Sequence, residues 1–154
     1  MEIKLYEKMN MTLPEGFSIA EEVDVKTYFG STLVDYAFLN EAKSAAIGIV
    51  HTENDLEEAI LESQINAYQQ YYSRMVPGFQ MGEMRKSNKK DNNIVFMTYK
   101  SNAPNRDFYN ILALTAFEGK EIVFLFSCDM LEAVNFMYKF FAVLDSIAII
   151  DELE

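Results

Sequence analysis

The chain has 154 residues, half of them hydrophobic, with 12 Phe, 9 Tyr and 9 Met, which suits one packed domain (residues 1–154) and argues against disorder. Thirteen Lys and Arg stand against 24 Asp and Glu, a formal charge of −11. That sign opposes nucleic acid and anionic membrane surfaces, both of which are bound by neutralising phosphates with Lys and Arg.

Glu2 to Glu7 alternates weakly and reads as a short strand. "LPEGF", Leu13 to Phe17, is turn punctuation, with Pro14 fixing φ and Gly16 freeing it. Ser18 to Phe29 reads as a short helix with Ser18 as its cap and Glu21 completing a capping box, against the β-branched Val23, Val25 and Thr27. Thr32 to Leu39 and Ala45 to His51 are expected strands, joined by the polar turn "NEAKS".

From Asp55 the period changes. Leu56, Ile60, Leu61, Ile65, Tyr68, Tyr72 and Met75 recur at helical spacing with polar residues between them, and Pro77-Gly78 ends the run. Four strands are expected next, at Phe79–Ser87, Asn92–Lys100, Asp107–Phe117 and Lys120–Ser127, with Glu118-Gly119 as a tight hairpin turn. In "NNIVFMTYK", "FYNILALTAF" and "IVFLF" both alternate sets are apolar, so these strands are covered on both faces. Met130 to Leu144 is a second long helix, and "SIAIID" (Ser146 to Asp151) returns the chain for a strand that closes the sheet. The fold class expected is α+β, a three-layer α/β/α sandwich around a mainly antiparallel sheet.

This order, with "LPEGF", the helix "DLEEAILESQINAYQQYY", then "VPGF", a meander, a helix and "SIAII", resembles the PsbP-like superfamily. The superfamily includes the Ran-binding nuclear-transport factor of the same fold and the bacterial DcrB-like proteins. The resemblance implies the α/β/α sandwich. It also implies a choice of roles, since some cytoplasmic DcrB-like members are chaperones that hold apolar helices of secreted toxin effectors and others are lipoproteins. This chain lacks the lipobox cysteine of the latter, and the superfamily shares no catalytic motif.

The residues that could carry chemistry are few. His51 and Cys128 are the single members of their kinds, each placed where a strand gives way to a helix, so they could meet as a thiol–imidazole pair. Asp129 beside the thiol disfavours its thiolate. One cysteine excludes an internal disulfide. Glu53, Asp55, Glu57 and Glu58 could attract a hard cation, but they also suit the first turn of a helix capped by Asn54 or Asp55. Asp129 with Glu132 is likewise a capping box. Arg85, Lys86, Lys89 and Lys90 gather at one hairpin, as a solvated turn or a dock for an acidic partner.

The last helix, "MLEAVNFMYKFFAVLD", is more apolar than a surface helix needs. Its polar stripe is Glu132, Asn135 and Lys139, with Met130, Val134, Met137, Phe141 and Leu144 opposite. Phe136, Tyr138 and Val143 border that stripe and are either a partner surface or core covered by another segment. The expected function is that of a non-catalytic protein-binding module, a chaperone or adaptor shielding an apolar segment of a partner. The alternative is a small-ligand binder with an aromatic and methionine-lined pocket between helix and sheet. No cofactor or metal is expected, and the partner is a protein or a second copy. The N-terminus shows no secretory leader and no stretch is apolar enough to span a bilayer, so a cytoplasmic location is expected.

Overall fold

The computed structural model describes residues 1–30, 32–87 and 93–150. Two short strands, β1 (Glu2–Leu5) and β2 (Met9–Thr12), form an antiparallel hairpin. Its turn runs through Tyr6 and Glu7 at φ 52° and 63°, a left-handed conformation that non-glycine residues rarely adopt. Tyr6 is tied down from both ends. Its N–H donates to the Tyr36 hydroxyl at 2.9 Å, and its own hydroxyl donates to Asp35 at 2.6 Å. The hairpin therefore lacks Gly, Asn or Pro punctuation, and the single strand expected over Glu2–Glu7 is corrected to β1 and a turn.

The chain continues through β3 (Phe17–Ile19), α1 (Glu22–Phe29), β4 (Tyr36–Asn40), β5 (Ala45–Asp55) and α2 (Leu61–Met75). It closes with β6 (Gln80–Lys86), β7 (Val95–Asn102), β8 (Asp107–Phe117), β9 (Lys120–Asp129), α3 (Ala133–Ser146) and β10 (Ala148–Ile149). Seven strands form one antiparallel sheet in the order β3-β4-β5-β9-β8-β7-β6. β8 and β9 turn on Glu118 and Gly119, both with positive φ (54° and 77°), as a two-residue hairpin of matching twist requires.

The sheet is covered on both faces, as the doubly apolar strands demand. α2 lays Leu61 and Ile65 against Val95, Met97, Leu112, Leu114 and Val123. α1 covers the same face at Gly48, whose strand partner Leu125 belongs to the α2 side. A Cβ on Gly48 would lie 2.7 Å from the Phe29 ring, so glycine lets α1 approach there. On the opposite face sit α3 and the three-stranded sheet β1-β2-β10. Phe124, Phe126 and Phe140 are fully buried there, each contributing about 1.5–3 kcal/mol of apolar burial.

Several element boundaries differ from the sequence expectation. Ser18 lies in β3 and caps nothing, because α1 begins at Glu22. Asn54 and Asp55 extend β5 rather than capping α2, which follows a 3-10 turn at Glu58–Ile60. A second 3-10 turn, Met130–Glu132, precedes α3, and Asp129 makes no side-chain cap. The last strand joins the small sheet beside β2 instead of closing the large one. There Ile147 is buried while Ala148 and Ile149 are exposed.

Candidate protein-binding surface

α3 is amphipathic about an axis different from the one its polar residues suggest. Phe136, Phe140, Val143, Leu144 and Ile147 recur at spacings of three and four and are all buried. Phe136, only 7% exposed, stacks on Phe140 at 5.9 Å and meets Phe17 edge-on at 6.1 Å. Val143 is 2% exposed. Both are core, the second of the two places the sequence leaves open for them, and neither lines a partner surface. The polar stripe misled because it lies at one margin of the exposed arc. Asn135 donates to Glu132 at 3.0 Å, and the Lys139 ammonium sits 5.2 Å from the centre of the Phe136 ring.

The exposed arc itself is apolar. Leu131 is 98% exposed, Val134 82% and Tyr138 71%, at spacings of three and four along the helix and the turn before it. Tyr138, singled out in the sequence, thus remains a surface residue. Leu131 and Val134 were missed, the latter because it was placed toward the sheet.

The structure also joins two candidates that the sequence keeps apart. Arg85 of β6 lays its guanidinium 4.5 Å from the centre of the Phe141 ring and 5.6 Å from that of Phe96. Tyr138 meets the same Phe141 ring edge-on at 6.2 Å. Arg85 also pairs with Glu83 at 3.3 Å, and Ser87 donates to Asp145 of α3 at 3.0 Å. The edge strand and the helix are therefore one surface: an apolar stripe bounded by a guanidinium. Lys86 points to the other face, paired with Glu62 of α2 at 2.8 Å. Lys89 and Lys90 lie outside the described residues.

The remaining candidates do not converge. His51 stands opposite Ile122 and Cys128 opposite Ala45, which separates them by six residues of β9, about 20 Å at strand rise. The His51 ring packs on Tyr6 and Phe117, with Nε2 3.2 Å from the Phe117 carbonyl oxygen. The Cys128 thiol is buried, and burial, reinforced by the Asp129 charge, pushes it up to about 12. It is held as the unreactive thiol. Asp129 instead pairs with Arg106 at 3.0 Å. Of the acidic cluster, Asp55 faces Lys120 at 2.6 Å, whose hydrogen bond holds its carboxyl below the usual range. Glu53 and Asp55 lie on β5 and Glu58 on the following turn. No group of three metal-ligating side chains occurs among the described residues.

Aromatic side chains fill the middle of the layer between α2 and the sheet, where a ligand pocket is the alternative expectation. At its edge a cleft of about 360 Å³ opens between Leu61 and Glu62 of α2 and Lys86, Ile94 and Val95. Tyr68 meets Tyr72 at 6.1 Å, Tyr72 meets Tyr99 at 5.6 Å, and Phe79 stacks on Tyr99 at 5.2 Å. Beside them Glu121 is fully buried. Its carboxylate accepts from Thr52, Asn54 and Tyr68 at one oxygen and Gln64 at the other, all within 2.9–3.2 Å.

No helix among the described residues is long and apolar enough to cross a membrane. No protein-family model and no curated protein matches the sequence. Solved structures do match. The Ran-binding protein Mog1p of Saccharomyces cerevisiae superposes with a TM-score of 0.66 at 9% identity, over 98% of this chain and 95% of its own. The cyanobacterial PsbP of Synechocystis sp. PCC 6803 gives 0.60 at 13% identity, over 97% and 91%. LpqN of Mycobacterium tuberculosis, involved in cell envelope biogenesis, gives 0.51 at 10% identity, over 93% and 83%. At such identities the likeness speaks for the fold alone, and the fold is the one shared by PsbP and Mog1p.

Proposed function

We propose that the protein is a non-catalytic binding module that seats an apolar helical segment of another protein on the outer face of α3. The observation that carries this reading is the stripe Leu131–Val134–Tyr138, held open to solvent on a helix whose other side is fully engaged in the core. Residues three, four and seven apart are the spacing by which one helix reads another. Burying each such side chain is worth about 1.5–3 kcal/mol, so the stripe suffices for a weak, reversible complex. Arg85 at its border fits a carboxylate on the incoming segment.

A second copy of this chain suits the stripe less well, because two molecules of charge −11 repel. One neighbour, Mog1p, is described as Ran-binding and supports binding over catalysis by analogy only. Shielding of an apolar helix, as a chaperone would do, is the finer form of the same reading.

The test uses an 18-residue Leu/Ala helical peptide that aggregates alone. The wild-type protein should keep it soluble near equimolar ratio, and the Val134→Asp/Tyr138→Asp variant should lose that capacity while retaining its circular dichroism. A variant that still protects the peptide removes α3 from the account.

A further inference from the structure

β1 ends the three-stranded sheet and β3 ends the seven-stranded one, so each has one unpaired edge. Residues of both strands line a single cleft of about 430 Å³, with Ile3 and Leu5 on one wall, Ile19 and Val25 on the other, and Phe38 and Asp35 between.

The register determines which backbone groups are free there. Met1 and Leu13 exchange both main-chain hydrogen bonds, at 3.1 and 2.8 Å. Bonded pairs recur at every second residue of an antiparallel ladder. Ile3–Met11 and Leu5–Met9 are therefore bonded, and Glu2 and Lys4 turn their N–H and C=O groups away from β2. Tyr6, next in the outward series, confirms the phase, since its N–H leaves the hairpin to reach Tyr36. On β3, Ala20 donates to Ala37 at 2.9 Å, so Ile19, one residue earlier, turns its backbone outward. Its side chain is 81% exposed.

We propose that this cleft is a strand-addition site for an extended segment of a partner protein, apolar at alternate residues and basic between them. Such a segment would pair with the outward groups of Glu2 and Lys4, while its alternate side chains enter the apolar cleft. The charge around the cleft selects the partner. Among the described residues, Asp35 accepts from the Tyr6 hydroxyl and the His51 backbone N–H, both neutral. Glu2, beside Ile3, and Glu21 and Glu22, beside Ala20, form no ion pair among the described residues. Against these four carboxylates stand Lys4, Lys26 and the Met1 ammonium, which is bonded to the Leu13 carbonyl oxygen. A basic segment is attracted there, and another copy of this acidic chain is not. This site lies apart from α3, so it stands or falls independently of the function proposed above.

The test is titration of the full chain with an eight-residue, end-capped peptide of alternating valine and lysine, followed by amide chemical shifts. Saturable binding is expected, with shifts confined to Glu2–Leu5, Ile19–Ala20 and 34–38, weakening as salt rises. Methylating the peptide's backbone nitrogens should weaken binding at least about tenfold, since the ladder then lacks its donors. Lys4→Pro should do the same, because the N–H it deletes is not used by β2. The valine/glutamate peptide should bind at least about tenfold more weakly. Absence of saturable binding below about 1 mM, indifference to N-methylation, equal binding of the acidic peptide, or shifts on α3 would each overturn the proposal.

Discussion

The Tyr68 hydroxyl of α2 donates to the buried Glu121 carboxylate of β9 across 2.9 Å. Among the described residues, no Lys or Arg pairs with that carboxylate. Four neutral donors from β5 and α2 stand in for water, so one side chain of the sheet fastens both the end of β5 and the helix above it. Burial, reinforced by the Glu121 charge, raises the Tyr68 hydroxyl well above the ordinary tyrosine range.

Glu121→Ala should therefore lower stability by about 1–3 kcal/mol, because four donors, three of them half-buried, lose their acceptor. Tyr68→Phe should cost about 1 kcal/mol. The two losses should fall short of adding in the double variant, since both remove the same bond. Urea unfolding of the three variants checks this. Losses below about 0.5 kcal/mol for Glu121→Ala would contradict it.

The approach of Phe29 to Gly48 gives a second expectation. Gly48→Val would drive a branched side chain into the ring and lift α1 from the sheet, at a cost of about 1–3 kcal/mol. In a Phe29→Ala background the same change should cost much less. Equal costs in both backgrounds would mean that Phe29 does not hold α1 at that point.

Cys128 gives an alkaline signature with a definite sign. Its folded thiol ionises near 12, while in the unfolded chain it ionises near the ordinary 9. The unfolded state thus releases the proton first, and the stability due to this group is complete below about pH 9 and lost between about 9 and 12. In that window wild type should lose up to about 1.4 kcal/mol per pH unit more than Cys128→Ala. Parallel curves for the two proteins would contradict the burial of the thiol. Alkylation of native Cys128 near neutral pH should likewise be slow, and His51→Ala should leave its rate unchanged.

α3 separates core from surface within two residues. Phe136→Asp combined with Val143→Lys should unfold the protein, because both charges enter the core. Val134→Asp with Tyr138→Asp should leave the midpoint of unfolding within about 1 kcal/mol of wild type. Circular dichroism and denaturant titration of the two pairs decide the matter, and similar behaviour of both would contradict the assigned helix phase.

Long periodic elements were legible in the sequence. α2 and the four strands after it follow from apolar spacing, Pro77-Gly78 and the Glu118-Gly119 turn, and β8 matches its expected bounds. The β1–β2 hairpin was not, because Tyr6 takes a positive φ enforced by Tyr36 and Asp35, some thirty residues away. With β2 unseen, "SIAIID" had only the large sheet to join. The phase of α3 was misread for a related reason. Polar residues identify a solvent-facing arc only when it is polar throughout, and here Val134 and Tyr138 make up the side of it away from the polar stripe. The link from Arg85 to Phe141 is a tertiary contact between edge strand and helix with no local signal.

The central claim, that the outer face of α3 receives an apolar segment of a partner, is tested most directly by a hydrogen-exchange footprint. The protein would be measured alone and with the 18-residue Leu/Ala peptide, residue by residue. The account predicts slowed exchange across residues 130–142 and a smaller effect at Arg85, with α2 unchanged. Protection centred on α2 or spread evenly over the molecule, with 130–142 unaffected, would contradict it.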